Sequence, residues 1–274
     1  MPEQQQETVI RFDSVDFSYP AEETDAPVEI FRDLTLDLPG GVVSLVGENG
    51  IGKSTLMLLA AARLFPQSGT ITLLGTDTSR FVDAGIDPEL EEQRNQLVSF
   101  VYQNMEFETE EPIGVLFEYV HEAGLPGSAS DDQGNGRGDS PDEVIRALAL
   151  QEKTDARMQE LSKGEQQRAI IAMSLLYGCP VIMMDEPVFA VEPARADEAF
   201  DYLQDIAKRY GKHIYFSAHD IELTRKHAEQ VVLFHHDGTI QVGATEAMLQ
   251  RDTLEQAFRA RYDTVYRREK VYGD

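Results

Sequence analysis

Gly47-Glu48-Asn49-Gly50-Ile51-Gly52-Lys53-Ser54-Thr55 follows the pattern G-x-x-x-x-G-K-[ST]. Glycines at those places let successive backbone N–H groups turn inward around a chain of phosphates. The apolar segment 42–46 before it reads as a buried strand, and the Leu- and Ala-rich segment 54–63 after it reads as a helix. Strand, loop and helix in that order are the context the pattern requires. The free N–H groups of the helix's first turn and the positive end of its dipole then receive the phosphates. Lys53 reaches the outer two, and the Ser54 hydroxyl ligates Mg2+.

Upstream of the cradle, segments 10–12, 15–19 and 34–38 alternate apolar and polar residues, the pattern of half-buried antiparallel strands. An acidic loop, 20–27, lies between them. Downstream, 69–75 reads as a strand bracketed by glycines, and 97–102 as a buried strand ending at Gln103. From 104 to 160 the pattern becomes helical, best at 113–123 and 142–150. Within it, 127–139 is almost wholly Gly, Ser, Asp and Asn, too polar to order itself by burial, so a mobile loop is expected. The Arg137-Gly138-Asp139 triplet inside it resembles an adhesion tripeptide, and in this chain reads as chance. Ser140-Pro141-Asp142-Glu143 then has the form of a capping box that starts a helix.

Beyond Gly164 strands and helices alternate: helix to 177, apolar strand 181–184, helix 194–210 and strand 213–217. Right-handed crossovers and a largely parallel sheet follow. A hairpin turns at Asp237-Gly238 between 231–234 and 239–242, and short helices at 246–250 and 254–261 end the pattern.

The chain has 274 residues, 42% hydrophobic, enough for a sizeable core. Its apolar runs fall far short of the ~20 residues of a membrane-spanning helix. The polar start does not resemble a signal peptide, and the one cysteine, Cys179, cannot form an internal disulfide, so a cytoplasmic address is expected. The net charge of −25 argues against a nucleic-acid partner, which would need Lys and Arg. Two readings of that charge stay open: adaptation to a salt-rich cytoplasm, or a solvated acidic surface. His235, His236 and Cys179 lack the companions of a metal site and read as structural or surface residues.

Val181-Ile182-Met183-Met184-Asp185-Glu186 puts two acids at the carboxyl end of a buried strand, where an α/β sheet presents its site. Asp185 is placed to hold Mg2+ beside Ser54, and Glu186 to orient or deprotonate the attacking water.

Leu161-Ser162-Lys163-Gly164-Glu165-Gln166-Gln167-Arg168 resembles the LSGGQ signature of ATP-binding cassette (ABC) ATPases. Tyr19 resembles that family's adenine-stacking aromatic, Gln103 its Q-loop glutamine, Asp185-Glu186-Pro187 its Walker B end, and His219 its switch histidine. The resemblance implies an α/β fold: a P-loop NTPase core with a mostly parallel sheet, an N-terminal antiparallel β subdomain and an inserted α-helical subdomain. It implies one domain over 1–274, with 1–103 and 161–274 as the core and 104–160 as the helical part, carrying the signature at its end.

By the same resemblance ATP is the substrate with Mg2+ as its ion. Residues 47–55 and Tyr19 hold ATP, Gln103 joins Ser54 and Asp185 on the metal, and Glu186, His219 and Gln103 serve hydrolysis. Ser162, Lys163, Gly164 and Glu165 act on the ATP of a second ABC subunit, in a homodimer or heterodimer. The partner is an integral membrane transporter subunit, docked on the helical part and the groove near Gln103. The chain is then peripheral on the cytosolic face of the cell membrane, and its final segment resembles importers of metal chelates.

Lys163 stands where the family has glycine, and Glu165 where it often has glutamine, close to the partner's terminal phosphate. Phe189 replaces a D-loop serine and Glu192 an aspartate. The basic tail 259–270 is a candidate contact for the membrane subunit or anionic lipid, or for the chain's own acidic surface. Alternatives are a soluble non-transport ABC ATPase, a regulatory ATP-binding module and a P-loop kinase. The first is opposed by the single cassette and the short helical insert, and the kinase by the signature and His219.

Overall fold

Two sheets with a helix between them carry the cradle. The computed structural model describes residues 8–20, 26–103, 105–125, 139–188 and 190–259. Antiparallel strands β1 (Thr8–Tyr19) and β2 (Val28–Pro39) come first. The alternating segments 10–12 and 15–19 are one strand, with Ser14 at φ 50° and a register shift where they meet. Then follow β3 (Val42–Val46), α1 (Lys53–Ala60), β4 (Ser68–Leu73), the short β5 (Thr76–Asp77), α2 (Pro88–Leu97) and β6 (Val98–Val101). Helix α2 is an addition to the sequence reading: it is charged and only weakly sided, so periodicity does not announce it, yet Asp87 caps it and Pro88 starts it.

Helices α3 (Ile113–Ala123), α4 (Pro141–Ala147) and α5 (Lys163–Tyr177) pack together, and β7 (Val181–Met184), α6 (Pro193–Tyr210), β8 (His213–Ser217) and α7 (Ile221–His227) return to the sheet. A hairpin, β9 (Gln230–Phe234) and β10 (Ile240–Ala244), leads to α8 (Thr245–Met248) and α9 (Arg251–Phe258). Among the described residues one sheet has the order β2-β1-β4-β5, all antiparallel. The other runs β10-β9-β3-β8-β7-β6, parallel except for its edge hairpin.

Both faces of the parallel sheet are covered, which is why its strands are apolar runs rather than alternations. Val181, Met183 and Tyr215 face a cluster with Leu56, Leu59 and the first sheet. Ile182, Met184, Ile214 and Phe216 face the opposite cluster with Phe117, Ile170 and Phe200. The capping box at Ser140 and Glu143 is present.

One expectation is corrected. Asp139, read as the end of a mobile loop, is buried and accepts hydrogen bonds from Tyr202 Oη (2.6 Å), Tyr210 Oη (2.6 Å) and both terminal nitrogens of Arg209 (2.7 and 2.6 Å). Composition overlooked that a single carboxylate can find tertiary partners on α6. The rest of that loop, Arg137 and Gly138, Phe189, and the tail beyond Arg259 lie outside the described residues.

Candidate nucleotide site

Because β3, β8, β7 and β6 lie side by side and parallel, their carboxyl ends gather four separate stretches of sequence at one edge. β3 delivers the glycine-rich loop, β8 delivers Ser217 and His219, β7 delivers Asp185 and Glu186, and β6 leads to Gln103. Tyr19, Asn49, Gly50, Gly52, Lys53, Ser54, Thr55, Gln103, Glu186 and His219 line one cleft, with Ile30 of β2 as an addition.

Gly52 caps α1 at φ 110° without a side-chain hydrogen bond, and a Cβ there would approach Ile30 Cγ2 to 3.0 Å. That leaves the first N–H groups of α1 for an anion, whereas α2 and α7 spend theirs on Asp87 and Asp220. Lys53 is buried and its Nζ donates to the carbonyls of Gly47 (2.7 Å) and Glu48 (2.9 Å). Gly47, Glu48 and Ile51 shape the loop from behind: Gly47 backs onto Phe234, Ile51 packs into the core, and Glu48 lies 3.4 Å from His236 Nδ1. The Tyr19 ring meets Phe17 edge-on, and its hydroxyl shares a 3.2 Å hydrogen bond with that of Thr55.

Glu186 is the hub. Gln103 Nε2 donates to its Oε2 at 2.7 Å, and His219 Nε2 lies 2.6 Å from its Oε1. Its backbone is in the left-handed region, φ 48°, an unfavourable place for a side chain and a common mark of a functional turn. Ser217, which the sequence reading passed over, ties the two acids together. Fully buried, it donates from Oγ to Asp185 Oδ1 (2.6 Å) and accepts from the Glu186 backbone N–H (2.9 Å). A serine ending an apolar strand two residues before His219 was the available signal.

The signature occupies a different depression, lined by Ser162, Lys163, Gly164, Glu165, Lys153, Arg168, Ala190, Glu192 and Arg195. Glu165 turns back: its Oε2 accepts from the Ser162 N–H (2.8 Å) and hydroxyl (2.9 Å), and its Oε1 meets Lys153 (3.1 Å). Burial works against ionisation of Glu165, but Ser162 and Lys153 outweigh it and hold the carboxyl below its ordinary range. A Cβ on Gly164 would lie 2.6 Å from the Ala190 carbonyl, so glycine lets the signature press against the segment after Glu186.

A parallel sheet that presents a glycine-rich loop, a strand-end glutamate and a histidine in one cleft, with Asp185 adjoining through Ser217, defines a P-loop nucleotide-binding protein. The ABC transporter family model matches residues 31–189. The achromobactin transport ATP-binding protein CbrD of Dickeya dadantii (strain 3937) is 28% identical over 84% of this chain and 82% of its own. The cobalt import ATP-binding protein CbiO of Rhodobacter capsulatus is 30% identical over 84% and 78%. The chain spans only 38% of the longer YkoD of Bacillus subtilis (strain 168). Among solved structures, the dimeric bacterial ABC transporter cassette MJ0796 superposes with a TM-score of 0.71 at 22% identity, over 86% of this chain and 98% of the other. The chain belongs to the ABC transporter family and is an ATP-binding cassette of it. No helix among the described residues is long and apolar enough to cross a membrane.

Proposed function

We propose that this chain binds and hydrolyses ATP to energise an ABC transporter, working as a head-to-tail pair in which the signature of one subunit closes over the cradle of the other. One observation carries the pairing. Cradle and signature open on separate depressions of the chain, so each lacks its complement within one subunit. The partner cassette is a second copy or a homologue, and the membrane subunit docks beside Gln103 and the helices α3 and α4. The chain then sits on the cytosolic face of the membrane.

Within the cleft the first-turn N–H groups of α1 and the Lys53 ammonium take the phosphates, and Tyr19 stacks on the adenine. Glu186 is the general base for the attacking water. Both of its oxygens are engaged, by Gln103 and His219, so it is held in reserve until a bound nucleotide draws those two side chains to the terminal phosphate. Mg2+ fits this donor set, because the Ser54 hydroxyl, the Asp185 carboxylate and the Gln103 carbonyl are the oxygen ligands a hard cation prefers. When bound, it neutralises charge on the outer phosphates. Ser217 holds Asp185 in place by a hydrogen bond to its Oδ1.

Glu186→Gln tests the assignment: it should keep ATP binding, lose hydrolysis by ~10^2-fold to 10^4-fold, and accumulate an ATP-bound dimer on size exclusion. Lys53→Ala should lose nucleotide and stay monomeric. A Glu186→Gln protein that hydrolyses ATP at the parent rate and elutes as a monomer would overturn the reading.

A further inference from the structure

Between the cleft and the signature depression runs a third, narrow crevice. It shares Glu186 with the cleft, and Lys163 and Ala190 with the depression. Lys163 Nζ is paired with Glu106 Oε1, and both side chains are well exposed, so this pair marks the solvent side of the crevice. Gln167, only 7% exposed, marks its inner side, with Gln166 beside it at the start of α5.

Two amide atoms there are left over. Gln166 Nε2 donates to the Met158 carbonyl at 2.9 Å, which fixes that amide and leaves its Oε1 buried with no hydrogen-bond partner among the described residues. Gln167 Nε2 is likewise buried and unpartnered among them. A buried donor and a buried acceptor are both costly to leave unmet. The crevice holds about 10 Å³, room for one water molecule. Its occupant must accept from one amide and donate to the other, which a metal ion or an anion cannot do and water can. Glu186 offers the third partner: its oxygens already meet His219 and Gln103, but a carboxylate has about four acceptor positions.

We propose that this crevice is the binding site of one structural water, which accepts from Gln167 Nε2 and donates to Gln166 Oε1 and to the Glu186 carboxylate. Three partners are what a buried water ordinarily takes. This water is distinct from the attacking one, which belongs to the cleft. Gln167 is then a positioning residue, tying the base to the start of α5 within one subunit. The inference rests on Glu186 being the general base, as read above. When a nucleotide draws Gln103 and His219 away, the water is the contact that remains, and it keeps the freed carboxylate in place for its proton.

A crystal structure of the nucleotide-free chain, at a resolution that shows ordered water, reads the site directly and depends on no variant. One water within hydrogen-bond distance of Gln166, Gln167 and Glu186 is expected. A dry crevice, or a water that does not reach Glu186, overturns the proposal. Kinetics read the role. Gln167→Leu keeps most of the bulk and removes the amide, so kcat should fall roughly tenfold, about the worth of one hydrogen bond, with ATP affinity unchanged. In the Glu186→Gln protein the same change should leave the residual rate where it was, because no base remains to be positioned. A merely structural Gln167 would lower both rates alike or weaken ATP binding, and either result refutes the positioning role. If Glu186→Gln itself hydrolyses ATP at the parent rate, the assignment of the base fails; if that assignment stands and Gln167→Leu leaves kcat unchanged, this inference fails alone.

Discussion

Glu186, the proposed general base, is held by few contacts. Its side chain is fixed by Gln103 and His219, and its backbone by Ser217, which also orients Asp185. Ser217→Ala deletes one donor and one acceptor at a fully buried point, leaving the Glu186 N–H unsatisfied. The expected loss is about 1–3 kcal/mol of stability. Turnover should fall more than nucleotide affinity, by roughly tenfold, because the two acids are displaced while the cradle is not. Steady-state kinetics beside a denaturant titration check this, and an unchanged kcat would make Ser217 a packing residue.

At the scale of elements, the Asp139 knot joins the approach to α4 with the end of α6. Burial raises the carboxyl pKa, but hydrogen bonds from Arg209, Tyr202 and Tyr210 overcome this and hold it below the ordinary range. A folded pKa below the unfolded value of about 3.9 means the stabilisation is present above that pH and lost as pH falls through the folded value. Asp139→Asn should therefore cost about 1–3 kcal/mol near neutrality, less than a fully buried pair because Arg209 is 41% exposed. The gap between variant and parent in urea midpoint should close below about pH 4. A gap independent of pH would mean that the knot does not depend on the carboxylate's charge.

For the whole molecule the dominant quantity is the net charge of −25. Folding concentrates 49 acidic side chains against 24 basic ones, and their repulsion is relieved by salt. Raising potassium chloride from about 0.1 M to about 1 M shortens the screening length from roughly 10 Å to 3 Å. The melting temperature should climb across that range. A flat response would favour the alternative of a merely solvated acidic surface.

The sequence by itself determined the fold class, the cradle, the strand-end acids and most of the cleft, because these depend on local rules. A glycine-rich turn between an apolar strand and a helix has few other uses, and an apolar run covered on both faces is readable without knowing what covers it. What only the tertiary structure decided are contacts between distant segments. Ser217 and Asp185 lie 32 positions apart, Lys163 and Glu106 57, and Asp139 and Arg209 70. No periodicity or motif encodes such pairs, since they arise from the strand order β3-β8-β7-β6 and from helices packed across it. Nor could composition foresee that Glu165 would fold back on Ser162 while Lys163 reached away to Glu106: a side chain's direction is set by which neighbours the fold leaves within reach.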